Sequence, residues 1–338
     1  MERNLSQTSA KIEQPMNTLL LILLLCNQSA DNIFEKESKL TKLGPPDSAG
    51  EGPAWHPILG ILTSGHKGIH RLDPKGVASI HVENAQTNGL LFSPKGDLLA
   101  CQPGKKRVVQ FDSSGNAKVL ADKFNGFAFN QPNDLSLDDA GRLYFSDPRY
   151  GPKDDMEQKD AQGNTIEGVY RIDPDGKIHR VIAREVERAN GVLVSKDGKW
   201  LYVADNNNDV KNGARKLWRF PRTPDGSINT KQQELIYDWK QGRGPDGLKE
   251  DAVGNLYVAG GLNKPNLPFE PDADIKGGIY VINPNLEMNK RLITFLPIPT
   301  DEVTNCAFGG ADKKTLYITG GGTLYSIRTI NPGFVRFP

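Results

Sequence analysis

The stretch QPNDLSLDDAGRLYFSDPRYG, residues 131–151, places an asparagine and an aspartate directly before two strand-like segments that are joined by a turn. Apolar and polar residues alternate on both sides of the turn, which is typical of short antiparallel strands. Short polar side chains such as those of Asn133 and Asp134 most often serve turns. A functional role for Asn133 therefore needs support from the rest of the chain.

The same pattern occurs six times: an oxygen-bearing residue, a strand, a turn and a second strand. The copies begin at positions 51, 88, 133, 190, 246 and 305 and read EGPAWHPILGILTSG, NGLLFSPKGDLLACQ, NDLSLDDAGRLYFSD, NGVLVSKDGKWLYVAD, DGLKEDAVGNLYVAG and NCAFGGADKKTLYITG. Most copies are followed by a third apolar strand and a weaker fourth one. Six repeats of about forty to sixty residues with four strands each predict an all-β fold, a six-bladed β-propeller.

The last repeat has no convincing fourth strand before the chain ends. A propeller must close its ring, and the segment ESKLTKLG, residues 37–44, precedes the first repeat. We expect this segment to supply the missing outer strand of the last blade and so to cover an open sheet edge. Residues 31–338 are accordingly predicted to form a single propeller domain.

The N-terminal 30 residues differ from the rest of the chain. The apolar run Leu19–Leu25 is too short to cross a bilayer and resembles the apolar part of a secretory signal. We therefore expect residues 1–30 to be a signal-like segment and the protein to be exported, either to the periplasm or outside the cell. Lipid attachment at Cys26 is a less favoured alternative, because the leucine before it is bulkier than such sites prefer. The sequence leaves open whether translation starts at Met1 or at Met16.

The charge balance limits the classes of partner. Lysine and arginine total 42 against 41 acidic residues, a formal net charge of +1. Neither nucleic acid nor an anionic membrane surface is implied by this balance. Cys101 and Cys306 fit no zinc or redox spacing and are predicted to be buried, free thiols. Nucleotide-binding, zinc-protease and serine-hydrolase motifs do not occur.

The repeat brings six side-chain oxygens together. The first strand of a propeller blade lines the central channel, so the starts of the six inner strands converge at one end of it. The residues at this position are Glu51, Asn88, Asn133, Asn190, Asp246 and Asn305. We call this set the oxygen ring. All six carry a carboxylate or amide oxygen, whereas turn chemistry alone would accept Ser, Gly or Thr equally well.

Oxygens without sulfur or imidazole form a site for a hard divalent cation. Ca²⁺ is the favoured ion, because it accepts about six to eight oxygens in flexible geometry. The carboxylates of Glu51 and Asp246 would balance its charge. Zn²⁺, Mg²⁺ and Mn²⁺ are alternatives.

Three long insertions are predicted to overhang this end of the channel. They join second and third strands, a connection that lies on the same side as the start of the first strand. We call residues 148–168, 206–216 and 261–278 the first, second and third insertions. Three residues at the ends of second strands are interpreted either as residues that orient the ligands or as ordinary turn residues: Asp147, Asp205 and Asn206.

Four motifs resemble the gluconolactonase and regucalcin family over roughly residues 48–330. Their sequences are most similar to those of bacterial gluconolactonases. The motifs are EGPAWHP, QPNDLSLDDAGRLYFSDPRYG, ANGVLVSKDGKWLYVADN and GPDGLKEDAVGNLYVAGG. By this resemblance Glu51, Asn190 and Asp246 match the family's divalent-metal ligands. We expect Asp246 also to act as the catalytic base, although a role as ligand alone stays open.

The resemblance also implies residues that bind the substrate. Asn133 matches a residue that contacts substrate or metal-bound water, and we group Asn88 and Asn305 of the oxygen ring with it. Regucalcin-like members carry an arginine where this chain has Gln131, so sugar contacts there are expected to differ. The implied reaction is hydrolysis of a sugar lactone such as D-glucono-1,5-lactone to the open-chain acid, with this small molecule as the partner.

Two alternatives are a hydrolase of phosphotriesters or aryl esters, and an exported binding propeller with a structural ion. The oligomeric state is not indicated.

Overall fold

The computed structural model describes residues 33–336, which form six four-stranded antiparallel sheets around a central channel. The predicted all-β, six-bladed propeller is thereby confirmed. In chain order the strands are β1 (Thr41–Leu43), β2 (Glu51–His56), β3 (Gly60–Gly65), β4 (Gly68–Leu72), β5 (Ala78–Glu83), β6 (Leu90–Phe92), β7 (Leu98–Gln102), β8 (Arg107–Phe111), β9 (Ala117–Ala121), β10 (Lys123–Phe124), β11 (Phe127–Ala128), β12 (Leu135–Leu137), β13 (Leu143–Ser146), β14 (Val169–Ile172), β15 (Ile178–Ile182), β16 (Ala189–Val194), β17 (Trp200–Asn206), β18 (Arg215–Pro221), β19 (Glu234–Asp238), β20 (Pro245–Glu250), β21 (Leu256–Gly260), β22 (Gly278–Ile282), β23 (Leu292–Pro297), β24 (Val303–Gly309), β25 (Thr315–Gly320) and β26 (Thr323–Arg328). Short 3-10 helices span Pro103–Lys105, Thr230–Gln232 and Met288–Lys290.

The blades follow one another along the chain. Blade 1 contains β2–β5, blade 2 β6–β9, blade 3 β12–β15, blade 4 β16–β19, blade 5 β20–β23, and blade 6 β24–β26 with β1. In blades 1 to 5 each strand pairs with the next one in sequence, so the first strand of each blade is innermost. β10 and β11 form a separate hairpin between blades 2 and 3.

Blade 6 combines the two ends of the described chain. β1 pairs antiparallel with β26, with Thr41 opposite Ser326 and Leu43 opposite Leu324. β1 lies within residues 37–44, and the sheet order is β1-β26-β25-β24. An unpaired β26 would expose a long row of backbone N–H and C=O groups, whereas this pairing leaves only a three-residue strand at the edge.

The apolar core lies between neighbouring blades. β13 and β21, second strands of blades 3 and 5, are buried along their whole length. Each blade packs face to face against two neighbours, so its middle strands read as nearly continuous apolar runs. Between blades 5 and 6 the rings of Tyr257 and Phe308 meet edge to face, with their centroids 5.0 Å apart.

The last described residues cross the lower end of the channel, opposite the starts of the inner strands. The N–H of Phe334 donates to the carbonyl of Glu250 at 2.8 Å. The guanidinium of Arg336 donates to the carbonyls of Val194 and Ser195 at 3.3 and 3.0 Å. A cavity of about 80 Å³ lies between this segment and the inner strands and is lined mainly by apolar side chains. The C-terminal segment thus covers the lower end and joins blades 4 and 5 across it.

Some expectations fall outside the described part of the chain. The signal-like segment 1–30, including Cys26, is not among the described residues. Within residues 33–336 no helix is long and apolar enough to cross a membrane. Cys101 and Cys306 are buried and free, as predicted.

Candidate active site

The oxygen ring lies at the upper end of the channel, where the inner strands begin. Glu51 is the first residue of β2, Asn190 and Asp246 are the second residues of β16 and β20, Asn305 is the third residue of β24, and Asn88 and Asn133 lie two residues before β6 and β12. All six blades therefore contribute one oxygen-bearing side chain to the same end of the propeller.

Close backbone approach brings neighbouring members of the ring together. Gly52 has a φ of +55°, and a Cβ there would lie 2.1 Å from the carbonyl oxygen of Asn88. A Cβ on Gly247 would lie 1.9 Å from Cγ of Asn305. Because a side chain fits neither position, these glycines allow adjacent blades to place their site residues in contact.

Irregular pairing redirects the side chains of the ring. The register of strand pairing shifts near the beginning of β2, β16, β20 and β24. Asn190 and Asp246 lie inside two of these irregular stretches. An extra residue in one strand changes the direction in which its side chain points, and such bulges are frequent beside active sites.

Several oxygens of the ring have no hydrogen-bond donor. The Oδ1 atoms of Asn88, Asn133 and Asn190 are buried and lack a partner among the described residues. So does Oδ2 of Asp134, the residue next to Asn133. Buried polar atoms in folded proteins are nearly always paired, so a cluster of exceptions marks a place where an external group can bind.

The carboxylates of the ring lack sufficient positive charge around them. Burial, followed by the negative charge of Asp134, raises the pKa of Glu51 to about 8. Burial and the charge of Glu51 raise the pKa of Asp246 well above its usual range. Lys249 lowers the first and Arg243 the second, but neither restores an ordinary value. A bound cation would stabilise both carboxylates in their charged form.

These donors fit a divalent cation with a preference for oxygen. Within residues 33–336 no three His, Cys, Asp or Glu side chains are grouped so that they could hold a metal ion. An ion at the upper end would therefore need amide as well as carboxylate oxygens. Mixed oxygen donors of this kind suit Ca²⁺ better than a metal that prefers nitrogen or sulfur. Glu51, Asn190 and Asp246 stay the predicted ligands.

The side chain of Asn305 already makes hydrogen bonds within the protein. Its Oδ1 accepts a hydrogen bond from the N–H of Cys306 at 2.9 Å, and its Nδ2 donates to Oε1 of Glu51 at 3.4 Å. From the sequence, Asn305 is predicted to bind the substrate together with Asn88 and Asn133. These contacts favour a different role, in which Asn305 holds the Glu51 carboxylate.

Tyr150 of the first insertion reaches the ring, a contact that no pattern in the sequence predicts. Its hydroxyl accepts a hydrogen bond from Nδ2 of Asn190 at 2.7 Å. Its backbone N–H donates to Oε1 of Gln131 at 2.8 Å. Burial, and then the charge of Asp246, raise the pKa of Tyr150 well above its usual value. Tyr150 is therefore a neutral phenol that hydrogen-bonds Asn190, and Gln131 holds its backbone.

Asp147 and Asp205 hold the chain just before two ring residues. Asp147 accepts the N–H groups of Asn130 and Gln131 at 2.9 Å, three and two residues before Asn133. Asp205 accepts the N–H groups at the equivalent positions of blade 4 at 2.9 to 3.1 Å. Both carboxyls thus fix the backbone that leads into the ring instead of contacting a predicted ligand side chain.

Buried arginines connect the insertions. Arg188, which is 0% exposed, pairs with Glu167 of the first insertion at 2.7 Å and with Asp209 of the second at 2.8 Å. Arg215 of the second insertion donates to the carbonyl of Phe269 in the third at 2.8 Å. The three insertions therefore form one continuous wall over blades 3 to 5.

A third arginine joins this wall to blade 6. Arg243 pairs with Glu270 of the third insertion at 2.5 Å and with Glu302, just before β24, at 2.6 Å. Glu270 is buried, whereas Glu302 is half exposed at the rim. The wall is thus supported by ion pairs along its length.

The opposite side of the upper end is open. In blades 1 and 6 the turns between second and third strands contain only residues 66–67 and 321–322. A cleft of about 330 Å³ lies on this side next to Glu51, and its lining includes Asp47 and Thr87. A small molecule would approach the ring from this side.

The chain is similar to several lactone-hydrolysing proteins. It is 27% identical over 249 residues to a gluconolactonase of Zymomonas mobilis, a match that covers 72% of this chain and 63% of that protein, so less than two thirds of the relative's length is spanned. It is 27% identical over 284 residues to a pentonolactonase of Haloferax volcanii, with 81% of both chains covered. A solved gluconolactonase structure from Xanthomonas campestris shares the fold, with a TM-score of 0.69 and 24% identity over 88% of this chain and 91% of that one.

The family match includes the whole oxygen ring. Residues 49–322 match the family described as the SMP-30/gluconolactonase/LRE-like region. This range contains the six ring residues, the three insertions and Tyr150. The protein therefore belongs to the SMP-30/gluconolactonase/LRE-like family.

Proposed function

We propose that the protein hydrolyses a sugar lactone, an aldonolactone such as D-glucono-1,5-lactone, to the open-chain acid in a reaction that depends on a divalent cation. The observation that carries this proposal is the upper end of the channel, where three buried amide oxygens without partners accompany two partly buried carboxyl groups. Relatives named gluconolactonase and pentonolactonase support a sugar lactone as the small-molecule substrate.

Glu51, Asn190 and Asp246 would hold the ion. When bound, a divalent cation polarises a carbonyl group and stabilises the negative charge that develops on its oxygen. Ca²⁺ is proposed because the donors are carboxylate and amide oxygens, and the two carboxylates balance its charge. Zn²⁺, Mg²⁺ and Mn²⁺ are the alternatives to be compared with it.

The residues of the chain then have separate roles. Asp246 accepts a proton from water as the water oxygen bonds to the carbonyl carbon. The ring C–O bond of the lactone breaks, and its oxygen takes up the proton that Asp246 had accepted and becomes a hydroxyl group. Asn133 and Asn88 hydrogen-bond the substrate through amide groups whose oxygens have no partner within the described chain. Asn305 keeps Glu51 in place.

The first test measures proton release from D-glucono-1,5-lactone, corrected for spontaneous opening. The purified protein is assayed before chelation, after chelation and after Ca²⁺ is added back, with Zn²⁺, Mg²⁺ and Mn²⁺ in parallel. We expect activity that chelation removes and metal restores. Turnover of a phosphotriester or an aryl ester without lactone turnover would overturn the substrate class. Stabilisation by Ca²⁺ without any turnover would instead indicate a binding propeller.

The Asp246→Asn variant tests the site directly. The substitution preserves the size of the side chain but removes its charge and its ability to accept a proton. We expect Ca²⁺ binding to be lost and kcat to fall by at least ~100-fold. Asp238→Asn, in the outer strand of blade 4, serves as the matched control and should retain full activity. Full activity of Asp246→Asn would contradict the assignment.

We also propose that the protein is exported, on the basis of the apolar run Leu19–Leu25. N-terminal sequencing of the protein from fractionated host cells tests this. A mature chain that begins near residue 31 outside the cytoplasm is expected. A cytoplasmic chain that retains this run would contradict export.

A further inference from the structure

The hydroxyl of Tyr150 contacts the side chain of Asn190, a predicted metal ligand. Nδ2 of Asn190 donates to Oη of Tyr150 at 2.7 Å, while Oδ1 of Asn190 is buried and has no partner among the described residues. An asparagine amide can be turned either way round, and its hydrogen bonds decide which end faces a site. In this structure the hydroxyl of Tyr150 accepts from the NH₂ end of Asn190, and the oxygen end stays unpaired.

The carboxyl groups of the ring make this orientation important. Glu51 and Asp246 lie at the same end of the channel as Asn190. Their oxygens accept hydrogen bonds, so they favour an arrangement in which the NH₂ end of a nearby amide faces them. An NH₂ group that faced the carboxylates would repel a cation. Tyr150 counteracts this arrangement because it offers the NH₂ group an acceptor on the other side.

Tyr150 is itself firmly held. Gln131 accepts a hydrogen bond from its backbone N–H at 2.8 Å, and the N–H of Gln131 donates in turn to the buried carboxylate of Asp147. The guanidinium of Arg188 lies 5.0 Å from the centre of the Tyr150 ring. Arg188 is fixed by its ion pair with Glu167. The hydroxyl is thus presented by a rigid part of the wall, which suits a residue that must orient another.

We propose that Tyr150 is a positioning residue that turns the oxygen of the Asn190 amide toward the divalent cation. The inference rests on the proposed function, because it takes Asn190 as a ligand of the ion. It also assigns a role to Gln131, which holds the backbone of Tyr150. Outer contacts of metal ligands typically change metal affinity by about 10- to 100-fold, and we expect an effect in that range.

A double-mutant cycle tests the inference. Ca²⁺ affinity is measured by isothermal titration calorimetry for the wild-type protein, Tyr150→Phe, Asn190→Asp and the double variant. Tyr150→Phe should weaken binding about 10-fold or more in the wild-type background. A carboxylate at position 190 offers an oxygen in either orientation, so Tyr150→Phe should change affinity less than about 3-fold in the Asn190→Asp background. Equal losses in both backgrounds would overturn the inference.

A second measurement separates positioning from general damage. Since Tyr150→Phe affects only ion binding in this view, lactone hydrolysis should need more Ca²⁺ but reach a kcat within about 3-fold of wild type at saturating Ca²⁺. Tyr170→Phe is the matched control, because it removes a buried hydroxyl that donates to Gln158 in the same blade but does not contact the ring. Its Ca²⁺ affinity should equal that of the wild type. A loss of affinity as large as that of Tyr150→Phe would overturn the inference.

Failure of the two proposals can be distinguished. A wild-type protein that binds neither Ca²⁺ nor Zn²⁺ in the calorimeter overturns the metal site and the role of Tyr150 with it. Wild-type binding of Ca²⁺ that Tyr150→Phe leaves unchanged overturns only the role of Tyr150.

Discussion

At the scale of single residues, the oxygen ring carries a cost in stability. Each buried polar atom without a partner costs about 1 to 3 kcal/mol, and the ring contains three such amide oxygens, on Asn88, Asn133 and Asn190. Repulsion between the negative charges of Glu51 and Asp246, which contributes to the raised pKa of Asp246, adds to this cost. Such groups persist where function needs them. The unpaired groups that lower the stability of the ring are the same groups that can bind an ion.

Asp147, which is not a predicted metal ligand, is expected to make the stability of the protein depend on pH. Burial raises its pKa from 3.8 to about 8, although it accepts two backbone N–H groups. The folded state therefore binds more protons than the unfolded state between these values. The contribution of Asp147 to the free energy of unfolding should fall as the pH rises from 3.8 to about 8.

The Asp147→Asn variant checks this prediction. An amide oxygen can still accept the two N–H groups but carries no charge. In urea unfolding at a series of pH values, the variant should lose less stability than wild type between pH 4 and pH 8, by on the order of 1 to 2 kcal/mol. Asp154→Asn, at an exposed position of the first insertion, is the control. Parallel pH profiles for wild type and Asp147→Asn would contradict the predicted shift.

At the scale of elements, the inner strands position the ring residues and the insertions form the wall beside them. Irregular pairing at the starts of four inner strands redirects the ring residues. The insertions form a wall on one side, and the short turns of blades 1 and 6 leave the other side open. Arg188, Arg215 and Arg243 connect the wall with several hydrogen bonds each, a task that suits a planar guanidinium with five donors. A preformed wall requires little rearrangement when the substrate binds.

Arg215→Lys tests the wall as an element. Arg215 is 1% exposed and donates to carbonyls of both the second and the third insertion. An ammonium group cannot reproduce both contacts, so we expect a loss of about 2 kcal/mol in unfolding free energy. KM for the lactone should rise severalfold while Ca²⁺ affinity changes less than about 3-fold, because no predicted ligand is touched. Arg184→Lys, whose ion pair with Asp160 is exposed, is the control and should cost less than about 0.5 kcal/mol. An unchanged KM in Arg215→Lys would show that the wall does not shape the substrate site.

At the scale of the whole molecule, the two ends of the chain complete the ring of blades. β1 provides the outer strand of blade 6, and Ile33, which is 3% exposed, packs in the core between blades 5 and 6. The C-terminal segment crosses the lower end of the channel and contacts blades 4 and 5. A propeller closed in this way holds six inner strands at fixed distances, and the geometry of the oxygen ring depends on that closure.

Removal of β1 tests ring closure. A chain that begins at residue 45 loses both the buried Ile33 and the backbone pairing of β1 with β26. Its unfolding free energy should fall by more than about 3 kcal/mol, since the loss of a buried isoleucine alone costs about 2 to 5 kcal/mol. A chain that begins at residue 31 is the control. Equal midpoints for the two chains in thermal and urea unfolding would mean that β1 is dispensable.

The sequence by itself determined the fold and the position of the ring. Repeated turns and alternating strands are local features, so six similar segments sufficed to predict six blades of four strands. The position of one asparagine or acid at the start of each inner strand followed from the same repeat. The repeat places Glu51, Asn190 and Asp246 in the ring, and the structure brings the ring residues to the upper end. Their prediction as metal ligands came from the family resemblance and not from the repeat.

Only the tertiary structure decided how these residues are supported. Tyr150 and Asn190 are 40 residues apart in the chain and belong to different blades. The insertions have no period, so no pattern in them indicates that Tyr150 reaches the ring or that Arg188 joins two of them. Asn305 looks equivalent to Asn133 in the repeat, yet packing gives it internal partners and leaves the Asn133 oxygen free. Such differences depend on contacts between blades, and those contacts exist only once the ring has closed.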